Sequence, residues 1–161
     1  MKFPQELLGA VWHTTSIERY KMIVRDGCIK ANPSIPDSER WGTKLGEEHF
    51  PFVRSLGGVS VFDFRNLDVN SYSKKFGAGN WATFVPCRSD WQSAVWVEID
   101  FSLLGTNFIS GQSIREMWYK MDSTRKFITQ IEGAVIGSIP ASAFKQVLVY
   151  DTQKSSFSTL A

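Results

Sequence analysis

Alternation of apolar and polar side chains marks the strands of this chain, and its clearest instance is Val59-Ser60-Val61-Phe62-Asp63-Phe64. Here Val59, Val61 and Asp63 alternate with Ser60, Phe62 and Phe64, so apolar residues fall on both faces and the strand is expected to be covered on each. Ala94 to Phe101 reads as another strand. Near the start, Val11-Trp12-His13-Thr14-Thr15 predicts a short strand, and Thr15-x-x-Glu18 then offers a capping box for a helix. Ile17, Tyr20 and Val24 line one face of that helix, and Gly27 supplies its left-handed stop. Cys28 to Ala31 follows as a second short strand. A helix is predicted from Ser113, its cap, to Lys120. Lys126 to Glu132 and Lys145 to Tyr150 read as the last two strands, with one helical turn, Ala141 to Phe144, opened by Pro140.

Two long stretches, 32–56 and 66–92, keep no sustained period and are expected to be irregular; loops of such length are usually functional or mobile. Residues 152–161 are rich in Ser and Thr and are expected to form a fraying tail. Strands and helices are mixed without regular βαβ alternation, which argues for an α+β fold. The 161 residues fit one domain, spanning residues 1–151, long enough to bury roughly 70% of its unfolded surface.

Composition narrows the class without naming a partner. The 43% hydrophobic and 21% charged residues are those of a globular protein, which excludes a disordered or low-complexity chain. A net charge of +2 means that any hold on nucleic acid needs a local basic patch. Cys28 and Cys87 have no Cys or His at metal spacing, so they read as two ordinary buried thiols and no metal is expected. His49 beside Glu47 and Glu48 lacks a further ligand in the same way. The opening Met1-Lys2-Phe3-Pro4-Gln5-Glu6 lacks a signal-like apolar run, and a cytoplasmic location is expected.

Chemistry is carried by a few polar residues on predicted strands. His13 and Thr15 share a strand face, although a lone strand histidine is more often a hydrogen-bonded core residue. Gln130 and Glu132, two apart at the end of a predicted strand, point the same way, just before the flexible Gly133; alone, the pair also describes a solvated strand face. From Tyr72 to Trp91, aromatics interleave with Lys74, Lys75 and Arg88, which suits either a base-stacking surface or the apolar anchors of a long loop.

In order along the chain stand an early His-Thr-Thr strand, a helix ending in Gly, a Gly-Gly-Val-Ser-Val-Phe-Asp-Phe strand and a late Gln-Ile-Glu-Gly. With these the sequence resembles the ADP-ribosyltransferase superfamily, in its His-type branch of DNA-targeting bacterial toxins and RNA 2′-phosphotransferases. The resemblance implies a split β-sandwich of two antiparallel sheets with small peripheral helices and a cleft between the sheets. It implies NAD as co-substrate, transfer of ADP-ribose to a nucleic acid or protein acceptor with release of nicotinamide, and, for a toxin or defence effector, an inhibitor or antitoxin partner.

For the site, the resemblance makes Glu132 and His13 catalytic, with Glu132 on the ribose 2′-OH and His13 on a ribose hydroxyl. It puts NAD against His13, Thr14 and Thr15, with the Thr14 backbone on the nicotinamide amide. Ser60 supports the NAD site or the glutamate, and Gln130 meets the acceptor. A stacking aromatic for nicotinamide is sought among Phe62, Phe64 and Tyr72. Arg40 and Arg54 suit a bidentate clamp on the pyrophosphate. The rival readings are an RNA 2′-phosphotransferase-like enzyme and a non-catalytic domain that binds nucleic acid or a protein partner.

Overall fold

The computed structural model describes residues 2–40, 45–77 and 79–160. Among them the strands are β1 (Val11–Thr15), β2 (Cys28–Ile29), β3 (Gly58–Asp63), β4 (Ser93–Ile99), β5 (Phe108–Ile109), β6 (Glu132–Ile136), β7 (Ile139–Pro140), β8 (Phe144–Asp151) and β9 (Ser156–Thr159). The α-helices are α1 (Ile17–Asp26), α2 (Phe52–Ser55), α3 (Val69–Phe76), α4 (Gly79–Ala82) and α5 (Gly111–Lys120). Seven strands form one sheet in the order β5-β6-β3-β1-β4-β8-β9, with every neighbouring pair antiparallel; β2 and β7 form a separate two-stranded sheet.

The period-2 pattern sorts two different cores onto the two faces of the large sheet. Trp12, Phe62, Phe64, Ala94, Trp96 and Leu148 point to one face, where Phe3, Leu7, Trp81 and Phe84 complete an aromatic core. Val11, Val59, Val61, Val95, Val97 and Val135 point to the other, against Ile17, Tyr20 and Ile23 of α1. The central strand is therefore covered on both sides, as its pattern predicts.

The two antiparallel sheets expected are one of seven strands and one of two, and the larger one parts in its middle. β1 pairs with β3 only at Val11 with Asp63 and Trp12 with Phe62. Beyond that point β1 stays bonded to β4 through Thr15, while β3 stays bonded to β6 back to Gly58. His13–Thr15 and Gly58–Val61 thus face one another across an opening, with alternate backbone N–H and C=O groups of each strand turned toward it.

Several local expectations shift. Ser16, not Thr15, caps α1, its oxygen accepting from the Arg19 amide at 3.3 Å. Ile23 takes the packing place expected of Val24, which is 60% exposed. Ser110 caps α5 in place of Ser113, so that helix begins earlier. The stretch 66–92 is not irregular, because Asp68 caps α3 through the Ser71 amide and α4 follows. Residues 126–131 are not strand: Gln130 adopts φ 65°, a left-handed conformation that ends extended backbone, and β6 begins at Glu132. The segment 152–161 contains β9, paired with β8 from Leu148–Thr159 to Asp151–Ser156, where a fraying tail was expected. The long stretch 32–56, of which residues 41–44 lie outside the described ones, holds 3-10 turns at Asp37–Glu39 and Glu47–His49 and then α2.

Gly133 is a strand residue, not a hinge. A Cβ there would lie 2.7 Å from the Ile109 carbonyl oxygen and 3.1 Å from the Phe108 ring, so β5 can lie against β6 only because this position has no side chain. Gly133→Ala is expected to destabilise the protein by about 1–3 kcal/mol, the usual effect of overpacking, in urea denaturation. An unchanged midpoint would mean that β5 does not press on β6.

Candidate active site

Three residues meet across the parting of the sheet. The His13 imidazole bridges it, its Nδ1 lying 2.9 Å from the Ser60 carbonyl oxygen. A carbonyl only accepts, so Nδ1 carries the hydrogen and Nε2 is left as an acceptor on a neutral ring. Burial holds the imidazole below its ordinary value of 6.5, outweighing the Ser60 carbonyl, which raises it. On its other side Ser60 donates its hydroxyl to Glu132 Oε1 at 2.6 Å, and the Ile128 amide donates to Oε2 at 2.7 Å. Glu132 is 1% exposed, and burial pushes its carboxyl above the ordinary 4.5 against the pull of both hydrogen bonds.

A cavity of about 730 Å³ occupies the opening and the space beyond it. His13, Thr14, Thr15, Val59, Ser60 and Phe62 line it, and they come from both faces of the sheet, as only an opening through the sheet allows. Glu132 lies behind this wall, one hydrogen bond from the cavity through Ser60.

At another wall stand Arg19, Arg40 and Arg54. Arg54 Nη2 donates to Asp37 at 2.8 Å, with its guanidinium 3.5 Å over the Phe50 ring. Arg19 Nη2 donates to the Glu39 carboxylate at 3.2 Å. Arg40 donates to Asn32 at 2.8 Å and to the Ala31 carbonyl at 3.2 Å. Burial holds Arg40 below the ordinary arginine range, Arg54 and Arg19 add to this, and Asp37 opposes it, so the three cations share one electrostatic neighbourhood. The Nη1 atoms of Arg19 and Arg54 are buried and have no hydrogen-bond partner among the described residues.

The structure thus gathers His13, Thr14, Thr15, Ser60, Phe62, Arg40 and Arg54 around one cavity, with Glu132 joined to it. Gln130 does not lie alongside Glu132. It lines a second cavity with Tyr72, Lys75 and Gln112, because its left-handed turn sends it away from the β6 direction. Phe64 is fully buried between Phe3 and Trp96 and lines neither cavity, so it presents no face for stacking. Tyr72 donates its hydroxyl to the Thr129 carbonyl at 2.7 Å, and burial pushes its phenol up to about 12.

Comparison with models of known protein families and with curated proteins finds no match for this chain. Its chemistry is therefore read from its own residues. Arg19 was not anticipated, because its partner Glu39 lies twenty residues on and is brought to it by the fold. Phe84, Arg88 and Trp91 also line the first cavity, with Arg88 4.9 Å over the Trp91 ring, so the basic-aromatic stretch divides between two cavities. Both cysteines are free and half-buried, not buried as expected, and burial, then Asp90, raises the Cys87 thiol to about 11. Among the described residues no group of three or more His, Cys, Asp or Glu could hold a metal ion, and no helix is long and apolar enough to cross a membrane.

The raised Glu132 carboxyl has a thermodynamic signature. Its folded form favours the proton, so its contribution to stability is complete below about 4.5 and is lost as pH rises through the raised value. Glu132→Gln removes that loss. Its stability relative to the natural protein is expected to climb as pH rises from about 4.5 and then level off in denaturant titrations. A difference independent of pH would mean that Glu132 is not desolvated.

Proposed function

We propose that this protein is an NAD-dependent ADP-ribosyltransferase of the split-sandwich type, moving ADP-ribose to a macromolecular acceptor and releasing nicotinamide. The observation that carries the reading is Ser60, which bonds the early-strand imidazole through its carbonyl and the late carboxylate through its hydroxyl. Two groups far apart in sequence thereby converge on one opening.

The lining fits a dinucleotide. Its volume is within the roughly 300–1,000 Å³ typical of small-molecule sites. The two arginine nitrogens that lack a partner among the described residues suit an anion that bonds through several oxygens, which a pyrophosphate does. Phe62 offers the aromatic ring at the parting. NAD supplies an ADP-ribosyl group whose bond to the cationic nicotinamide breaks with the electron pair leaving on nicotinamide, while the acceptor nucleophile bonds the ribose carbon and gives its proton to solvent.

His13 Nε2 accepts a hydrogen bond from a ribose hydroxyl and, being neutral, fixes orientation without adding positive charge. Glu132, reached where the Ser60 hydroxyl now stands, grips the neighbouring hydroxyl and stabilises the positive charge that develops on the sugar. Ser60 holds that carboxylate in place until the sugar arrives. Arg19, Arg40 and Arg54 carry the phosphates.

The near-complete burial of Glu132 favours a second reading, a domain that binds a nucleotide and does no chemistry. One experiment separates the two. Nicotinamide release is followed with NAD and, in turn, single-stranded DNA, RNA and a protein mixture as acceptors, alongside calorimetry with NAD. Release with one acceptor class is expected, and Glu132→Gln should slow it by roughly 10²-fold or more while NAD still binds. NAD binding without release would leave only the second reading, and absence of binding would remove both.

A further inference from the structure

Arg19 and Arg54 come from α1 and α2, yet both are met by the carboxylates of one short turn, Asp37–Glu39. The Glu39 carboxylate takes Arg19 at 3.2 Å and Asp37 takes Arg54 at 2.8 Å, each through Nη2, and Arg19 Nη2 also donates to the Glu39 carbonyl at 3.1 Å. In both guanidiniums the Nη1 atom is buried and bonds nothing among the described residues. A guanidinium meets an oxyanion best through two parallel N–H bonds, so each of these ion pairs is half-made. The carboxylates themselves stand largely in water, with Asp37 50% and Glu39 62% exposed, and ion pairs so exposed hold weakly. The arginine side chains are the sunken partners, at 17% for Arg54 and 21% for Arg19.

We infer that the Asp37–Glu39 turn is an internal competitor for an anion site made by Arg19 and Arg54, its two carboxylates standing where a ligand's two adjacent phosphates bind. A diphosphate replaces both carboxylates together and fills the vacant nitrogen on each arginine. A single phosphate replaces one and leaves the other ion pair half-made. Asp37 and Glu39 are thus specificity-determining residues: they exclude neutral nucleosides and weak anions, which gain too little to displace them, and admit a ligand that carries two linked phosphates. That the diphosphate belongs to a dinucleotide rests on the transferase reading; the anion site does not.

The test uses inorganic pyrophosphate and inorganic phosphate, titrated by calorimetry into the full chain. The natural protein is expected to bind pyrophosphate more tightly than phosphate. The double variant Asp37→Asn, Glu39→Gln is expected to tighten pyrophosphate binding by about fivefold or more, since the competitor no longer carries charge. Glu18→Gln serves as the control, because Glu18 lines the same cavity and makes no ion pair among the described residues; it should change the affinity by less than about twofold. Equal tightening per charge in Glu18→Gln would mean that only the general field had changed and would overturn the competitor. No tightening in the double variant would overturn it as well, as would failure of every form to bind pyrophosphate. Should this result hold while NAD gives no nicotinamide, the anion site stands and only the transferase reading falls.

Discussion

The two hydrogen bonds of Ser60 are what the centre of this molecule depends on. A residue inside a sheet ordinarily gives its carbonyl to the next strand, and an opened sheet leaves such groups without partners, which burial makes costly. Here β1 turns away after Trp12, and a side chain does what the ladder no longer does: the imidazole of His13 spans the distance to the Ser60 carbonyl. The serine hydroxyl meanwhile meets a carboxyl that would be expensive to bury unbonded. At the opening the Ser60 carbonyl and hydroxyl thereby both have partners. What remains for a ligand is the other nitrogen of the ring and the edges of two strands.

The cationic wall is tied to the same centre through packing. Arg125 donates through one nitrogen to the carbonyls of Glu47 at 2.7 Å and Phe50 at 3.1 Å. The Phe52 amide donates to the Lys126 carbonyl at 2.9 Å, and the Phe52 and Phe127 rings lie 6.2 Å apart. So the segment that approaches Glu132 also holds α2, the helix that carries Arg54. With Ile114 and Ala134 these residues form a third apolar cluster beside the two that cover the sheet. A displacement of either loop is felt by the other, since close-packed interiors transmit strain.

How much of this was legible in the sequence follows from how local each feature is. The central strand and the His13 strand could be read because their alternation is set by neighbours in the chain, and Gly27 stops α1 as its position suggests. The place of Glu132 was misread, since an apolar-polar rhythm from 126 onward looks like strand and only a single left-handed residue, Gln130, breaks it. Asp68, a good cap with a helix behind it, was hidden in a stretch whose Gly and polar content masked the period. Arg40 and Arg54 could be proposed from charge and loop position alone. Arg19 could not, because its neighbour Glu39 is brought to it by the fold. The parting of the sheet left no mark in the sequence: it is a property of two strands together and appears in neither one separately.

The outer margins of the seven-stranded sheet bear on how the protein behaves in company. Each end of an open sheet presents backbone groups able to recruit a strand from another chain, the first step toward fibrous association. At one end the terminal strand is only two residues, Phe108 and Ile109. At the other it is Ser156, Phe157, Ser158 and Thr159, of which Phe157 alone is drawn inward, its ring 5.0 Å from that of Tyr150. A short rim and a hydroxyl-rich one make poor templates, so the composition that looked like a loose end serves instead as a border at which sheet growth stops.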